Sequence, residues 1–222
     1  MACSPVRVHD LLRIADATAV TGDGACPEWV PAALDRAPWV VVRRQAPCDG
    51  RIAVGVRGAG RERRWAGWLS PAAIVECRSP EQLLAAAGSV ATIRQSAVPA
   101  LRLLAPVAAL MAAVGWAWGP VGSIGFELAS GQPTATATSD LDLIIRAPRP
   151  LPLPAAAGIA AALAGLGART DPLIEVPGGA VSLIEWAGSG SGGGVALRTT
   201  RGPRLVANPW QPDAPLETRI SS

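Results

Sequence analysis

Two short stretches hold the chemistry-bearing residues of this 222-residue chain: Gly122-Ser123, and Ser139-Asp140-Leu141-Asp142-Leu143. The run Leu141-Asp142-Leu143-Ile144-Ile145 has the composition of a strand. Residues i and i+2 of a strand share a face, so Asp140 and Asp142 aim the same way. Two neighbouring carboxylates repel unless a cation lies between them. Hard oxygen donors suit Mg²⁺, which is held by one or two carboxylates together with substrate phosphates. Upstream, Trp116 to Val121 reads as a strand running into a Gly-Ser turn, and Ile124 to Ala129 opens a helix. Backbone N–H groups at such a turn cradle a phosphate. A phosphate cradle beside a carboxylate pair suits nucleotidyl transfer, where positioning and charge neutralisation matter more than covalent chemistry. Two Mg²⁺ ions about 3.5–4 Å apart would align the nucleophile and steady a leaving pyrophosphate. A third carboxylate is expected on a neighbouring strand. Asp171 and Glu175, spaced i, i+4, are the candidates, and the sequence does not choose between them. Glu127, one helical turn beyond Ser123, reads equally as a salt-bridged residue or as part of the site.

The charge distribution says what else the chain meets. Net charge is only +3, yet eight arginines lie between Arg36 and Arg64 against Asp49 and Glu62. That segment is expected to face something anionic. All twenty basic residues are arginine, whose planar fork grips phosphate through two parallel hydrogen bonds. Binding to nucleic acid is not expected, because the net charge is small and no aromatic platform is interleaved with the arginines. The four cysteines, Cys3, Cys26, Cys48 and Cys77, form no C-x-x-C pair, so no zinc site is expected. The chain leads into Val6-Arg7-Val8-His9-Asp10 without the apolar stretch of a signal peptide, which points to the cytoplasm and reduced thiols. His9, the single histidine, is read as structural, tying down the N-terminus. From Leu103 to Phe126 there are 24 uncharged residues, long enough to span a bilayer. Pro106, Gly115, Gly119, Pro120 and Gly122 break that stretch into a helix, a strand and a turn, so no membrane span is expected.

These residues need a scaffold, and half the chain is hydrophobic, enough for one large domain or two small ones. The first 90 or so residues read as a small α+β unit. In it, Pro38 to Arg44 and Ile52 to Gly58 form two strands of a hairpin, joined by Ala46 to Gly50. Ser79-Pro80-Glu81-Gln82 starts a helix that runs through about Ala87. A further helix is expected from Ala100 to Val114, ended by Gly115. After the Asp-x-Asp strand, Pro148 to Pro154 is a connector and Leu153 to Leu166 a buried-face helix. Strands are expected over Leu173 to Val176, Ala180 to Trp186 and Val195 to Thr200, with a flexible glycine-serine loop over Gly188 to Gly194. That loop matches G-x-G-x-x-G but precedes a strand instead of opening a helix, which removes a dinucleotide reading.

Several stretches together resemble one family nearly end to end. They are His9 to Leu12, Val42 to Arg44, Val54 to Gly58 with Arg61 and Arg64, Trp118 to Leu128, Ser139 to Leu143, and Gly202 to Trp210. The family is that of the holo-acyl-carrier-protein synthases of malonate decarboxylase, which are phosphoribosyl-dephospho-CoA transferases. The run from Gly119 to Leu128 is the most specific part. The resemblance implies an α+β fold in which a polymerase-β-like nucleotidyltransferase domain, residues 93–222, follows a smaller family-specific domain, residues 1–92. It also implies the reaction. A serine of the apo acyl-carrier subunit attacks the phosphate next to ribose in 2′-(5″-triphosphoribosyl)-3′-dephospho-CoA, and pyrophosphate leaves. Asp140 and Asp142 would be metal ligands, joined by Asp171 or Glu175, while Gly122 and Ser123 would hold the triphosphate. Arg43, Arg44, Arg57, Arg61 and Arg64 would grip either the triphosphate or an acidic carrier protein. Charge reversal at Arg61 and Arg64 is expected to weaken carrier binding more than triphosphate binding. Trp118 and Trp210 are candidates to line an adenine pocket. The alternatives are the transferase of citrate lyase or another small-molecule nucleotidyltransferase, and a carrier-binding module without activity. The Gly-Phe-Glu-Leu and Gly-Pro-Arg-Leu-Val stretches argue against the first group, and intact Asp140 and Asp142 against the last.

Overall fold

The computed structural model describes residues 5–60, 62–88, 92–190 and 194–213, which fold into two six-stranded sheets with helices around them, a mixed α+β architecture. Arg61, Cys3 and residues 191–193 of the glycine-serine loop lie outside the described residues.

The N-terminal sheet is wholly antiparallel, in the order β2-β5-β4-β3-β1-β6. Its strands are β1 (Leu11–Ile14), β2 (Val20–Thr21), β3 (Trp39–Val42), β4 (Ile52–Arg57), β5 (Arg64–Leu69) and β6 (Ile74–Arg78), with α1 (Trp29–Arg36) between β2 and β3. Side chains alternate across a strand, and this sheet uses both faces. Leu12, Ile14, Val40, Val54 and Val56 pack with Val30 and Leu34 of α1, whereas Leu11 and Trp39 point the other way and join the core of the second sheet.

That second sheet has the order β12-β11-β10-β9-β8-β7. In chain order its elements begin with α2 (Pro80–Ala87), α3 (Thr92–Ala97), α4 (Pro99–Arg102), α5 (Leu104–Val114), β7 (Ala117–Pro120) and α6 (Gly122–Ser130). They continue with β8 (Leu141–Arg146), α7 (Leu153–Ala164), β9 (Thr170–Val176), β10 (Gly179–Ser182), α8 (Leu183–Gly188), β11 (Val195–Thr199) and β12 (Gly202–Val206). Only β8 and β9 are parallel, and α7 supplies the crossover that a parallel pair needs. On α7 the buried positions are Ala156, Ile159 and Leu163, one stripe at helical spacing. In β8, Leu141, Leu143 and Ile145 are fully buried on the core face. Asp142, Ile144 and Arg146 therefore share the opposite face, towards the N-terminal sheet.

The two sheets are held together by charge as well as by the shared core. Arg44 forks onto Glu175 with bonds of 3.0 and 2.5 Å. Buried Arg146 donates to Glu81 at 2.8 Å and lies 3.8 Å from Asp10. The second contact is an ion pair without a hydrogen bond, since Asp10 Oδ1 and Arg146 Nη2 have no hydrogen-bond partner. Burial pushes the Asp10 carboxyl above its usual pKa, against the pull of the Arg7 N–H and the nearby arginines. Helix α2 lies so close to β7 that a Cβ on Gly119 would collide with the backbone of Pro80.

The expected hairpin of β3 and β4 is present, with Val41 opposite Gly55, and α2 begins in a full capping box of Ser79 and Gln82. Three expectations change. The single helix over 100–114 is divided at Leu103 into α4 and α5, because Pro106 offers no N–H to the Arg102 carbonyl and its ring crowds that group. The strand over 180–186 stops at Ser182, whose hydroxyl accepts from the Glu185 N–H and caps α8, an S-x-x-E start signal inside an apolar run. The last strand pairs with β12, which was not expected.

Candidate active site

Everything in the site is arranged around the turn from β7 into α6. The Val121 N–H donates to the Asp142 carbonyl at 2.9 Å, locking the turn to β8. Gly122 has φ +61°, and a Cβ there would run into the Asp142 carboxylate. Only glycine meets both demands. The carboxylate is thus seated over the first turn of α6, a helix without a side-chain cap, where N–H groups lack intrahelical partners and favour negative charge. Ser123 is buried, and its carbonyl accepts from Thr134 Oγ1 at 3.0 Å.

Asp140 is delivered by a separate device. Between α6 and β8 the chain runs as a strap over residues 131–139. Glu127 anchors this strap from the buried side of α6, accepting from Arg94 Nε and Nη2 at 2.9 and 2.8 Å and from the Thr134 and Ala135 N–H groups at 2.9 Å each. Burial alone would raise the Glu127 pKa. The Arg94 fork and the two amides outweigh it and hold the carboxyl below its usual range. The strap ends in a turn where Ser139 Oγ accepts from the Thr136 N–H at 2.9 Å, immediately before Asp140. Asp140 then pairs with exposed Arg169 at 3.4 Å. Glu127 is therefore a positioning residue of the strap.

The two candidates for a third carboxylate are separated by strand register. Asp171 lies directly opposite Asp142 in the parallel pairing of β8 and β9, whereas Glu175 lies opposite Arg146 and is taken by Arg44. Among the described residues no three acidic, histidine or cysteine side chains converge tightly enough to enclose a metal ion. Mg²⁺ needs only one or two carboxylates when phosphates complete its shell, so the oxygen donors Asp140 and Asp142 fit that ion.

The arginines divide by role. Arg57 and Arg64 pair across β4 and β5, and both line a cavity of about 140 Å³ that Gly122 and His9 also line. Arg57 stands over the Phe126 ring at 6.0 Å. Arg43 lies along Gly55 on the same wall, and Arg44 is committed to Glu175. His9 is the residue whose place the sequence did not reveal. It holds a positive φ of 72°, donates its N–H to the Val42 carbonyl and lines the cavity with Gly122. Burial, then the charges of Arg44, Arg146 and Arg198, lower its pKa to about 4, so the imidazole is neutral at pH 7. Trp118 and Trp210 line neither this cavity nor the larger cleft beside it. Trp118 is in the core, and Trp210 donates to the Ala147 carbonyl and packs edge-on against Trp186. Large apolar rings with one N–H suit such bracing roles.

A glycine turn is pressed against Asp142 and faced by arginines of the N-terminal sheet, and the known proteins that this chain is similar to are enzymes, transferases. The family models for the N-terminal and C-terminal domains of phosphoribosyl-dephospho-CoA transferase MdcG match residues 7–80 and 82–209. The chain belongs to this family. It is 40% identical over 210 residues to the phosphoribosyl-dephospho-CoA transferase of Pseudomonas fluorescens strain Pf-5, covering 95% of this chain and 96% of that protein. It is 42% identical over 204 residues to that of Pseudomonas aeruginosa PAO1, covering 91% and 93%. The transferase of Klebsiella pneumoniae strain 342 is 39% identical over 207 residues, covering 93% and 97%. No solved structure matches the chain. No helix among the described residues is long and apolar enough to cross a membrane.

Proposed function

We propose that this chain transfers the phosphoribosyl-dephospho-CoA group from 2′-(5″-triphosphoribosyl)-3′-dephospho-CoA to a serine of the apo acyl-carrier subunit of malonate decarboxylase, releasing diphosphate. The observation that carries this reading is the seating of the Asp142 carboxylate over Gly122, with Asp140 two residues away, just before β8. The serine oxygen forms a bond to the phosphorus next to ribose, the bond from that phosphorus to the bridging oxygen of the diphosphate breaks, and the serine proton is lost to solvent or base. Asp140 and Asp142 would hold Mg²⁺, with Asp171, in register with Asp142, as the third carboxylate. When bound, Mg²⁺ neutralises phosphate charge and steadies the leaving diphosphate. The chain's own groups do the remaining positioning. First-turn N–H groups of α6 receive phosphate oxygens, and Arg57 and Arg64 neutralise the triphosphate from the opposite wall. The turn from β7 into α6, followed by an Asp-x-Asp strand paired with β7, supports a polymerase-β-like nucleotidyltransferase fold for the second sheet.

The test is mass spectrometry of apo carrier subunit after incubation with the enzyme, Mg²⁺ and the triphosphoribosyl donor. The carrier should gain the mass of one phosphoribosyl-dephospho-CoA group. The apo carrier of citrate lyase, run in parallel, should be modified far more slowly. Equal or preferential modification of the citrate lyase carrier would reassign the partner, and no modification of either would reject the reaction.

A further inference from the structure

Beside the Gly122 cavity lies a larger cleft of about 620 Å³, within the range of small-molecule sites. Its floor and walls come from three places: the end of α1 with Arg36, the tip of the β4–β5 hairpin with Gly58, Ala59, Gly60 and Glu62, and the strap with Thr136, Thr138 and Ser139. Ser139 brings the cleft to the residue before Asp140. Arg57 and Phe126 line both spaces, so the cleft continues from the Gly122 cavity across a single cation–ring contact.

We infer that this cleft holds the dephospho-CoA arm of the donor, an adenine nucleotide bearing a diphosphate, while the Gly122 turn holds its triphosphate end. The inference rests on the proposed reaction. The donor has two anionic segments, a triphosphate on one ribose and a diphosphate in the nucleotide arm, and the two spaces share a wall that carries Arg57. Arg36 adds a second cation to the large cleft for the diphosphate. Hydroxyls of Thr136 and Thr138 and the Gln132 amide offer hydrogen bonds to a base or ribose, and Ala33, Ala37 and Phe126 offer apolar surface. Among the described residues Glu62 is the one carboxylate lining the cleft, and it lies over Gly60, where a Cβ would strike it. The strap therefore has two tasks, fixing Asp140 and closing the nucleotide cleft.

Calorimetric titration of the full-length enzyme with 3′-dephospho-CoA, and separately with inorganic tripolyphosphate plus Mg²⁺, tests this with two exposed-site variants, Arg36→Glu and Thr138→Trp. Each should weaken dephospho-CoA binding by about tenfold or more and leave tripolyphosphate binding within about twofold. Both positions are exposed, and unchanged thermal unfolding would show that the fold is kept. Unchanged dephospho-CoA binding in both variants, or no binding by the wild type, would overturn the inference. So would an effect on carrier binding alone, since the cleft would then serve the acceptor. The carrier mass shift by the wild type is read separately, and its failure would count against the reaction, not against the cleft alone.

Discussion

Truncating Asp171 and Glu175 one at a time should have opposite consequences. Glu175 accepts two bonds from Arg44 between the sheets, and the two side chains are only 19% and 15% exposed. An exposed pair of this kind contributes about 0.2–1 kcal/mol, whereas breaking a buried one costs about 3–5 kcal/mol because the remaining charge is stranded. At this degree of exposure, Glu175→Ala should cost about 2–3 kcal/mol. In a chain of this length that lowers Tm by roughly 5–10 °C. Asp171 is exposed and adds a further negative charge next to Asp142, so Asp171→Ala should change stability by no more than about 0.5 kcal/mol.

Activity should separate them in the other direction. Loss of a carboxylate beside the transferring phosphate should slow carrier modification by at least about 100-fold, comparable to removing one electrostatic contact from a transition state. The half-saturating Mg²⁺ concentration should rise as well. Glu175→Ala should retain most of its turnover at a temperature where it is folded. Thermal unfolding by circular dichroism, combined with initial rates of the carrier mass shift across a Mg²⁺ series, gives both readouts. The register argument is refuted if Asp171→Ala turns over like wild type, or if well-folded Glu175→Ala loses as much rate.

Three further outcomes are expected. Asp142→Asn should keep the wild-type Tm but lose transfer, because an amide supplies no negative charge for the cation; measurable turnover near wild type would remove Asp142 from the site. Glu127→Ala should lower stability by about 3 kcal/mol, since Arg94 and two strap amides lose their acceptor, and urea denaturation would show it. His9 binds a proton less readily folded, at about pH 4, than unfolded, near pH 6.5, so the unfolded state takes up protons first and stability falls by about 2 kcal/mol from pH 7 to pH 5. His9→Asn, which tolerates the positive φ, should remove that part of the slope, with the opposing Asp10 contribution common to both proteins; identical slopes would contradict a neutral buried His9.

What the sequence made legible is what is local. The strand that carries Asp142 follows from its apolar run, and the Gly122 turn from glycine chemistry, both within a few residues. The α8 helix was hidden because Leu183, Ile184 and Trp186 look like strand residues, while its start signal at Ser182 needs only one hydroxyl. The ion pair that joins Glu175 to Arg44 links residues 131 positions apart, and Glu127 finds Arg94 at a separation of 33. Spacing along one strand cannot reveal either. From the sequence the arginine cluster suits either the triphosphate or a carrier protein; the fold divides it, with Arg57 and Arg64 in the wall of the Gly122 cavity and Arg44 on Glu175.

The place of Arg57 and Arg64 in the cavity wall changes what the N-terminal sheet is for. The second sheet supplies Gly122, Val121 and Phe126 to the Gly122 cavity, while the opposite wall, from His9 and Leu11 through Val41 and Gly55 to Arg57 and Arg64, comes from the first. On its own, the second sheet would present the Asp142 carboxylate and the α6 amides to bulk water. There a triphosphate contact gains little, because the high dielectric weakens each charge pair and salt screens it. The first sheet faces the turn with Arg57 and Arg64 in the cavity wall, Arg64 staying exposed and donating to the Gly60 and Arg63 carbonyls. The Arg44–Glu175 and Arg146–Asp10 pairs join the two sheets, so charges outside the cavity fix how its two walls meet.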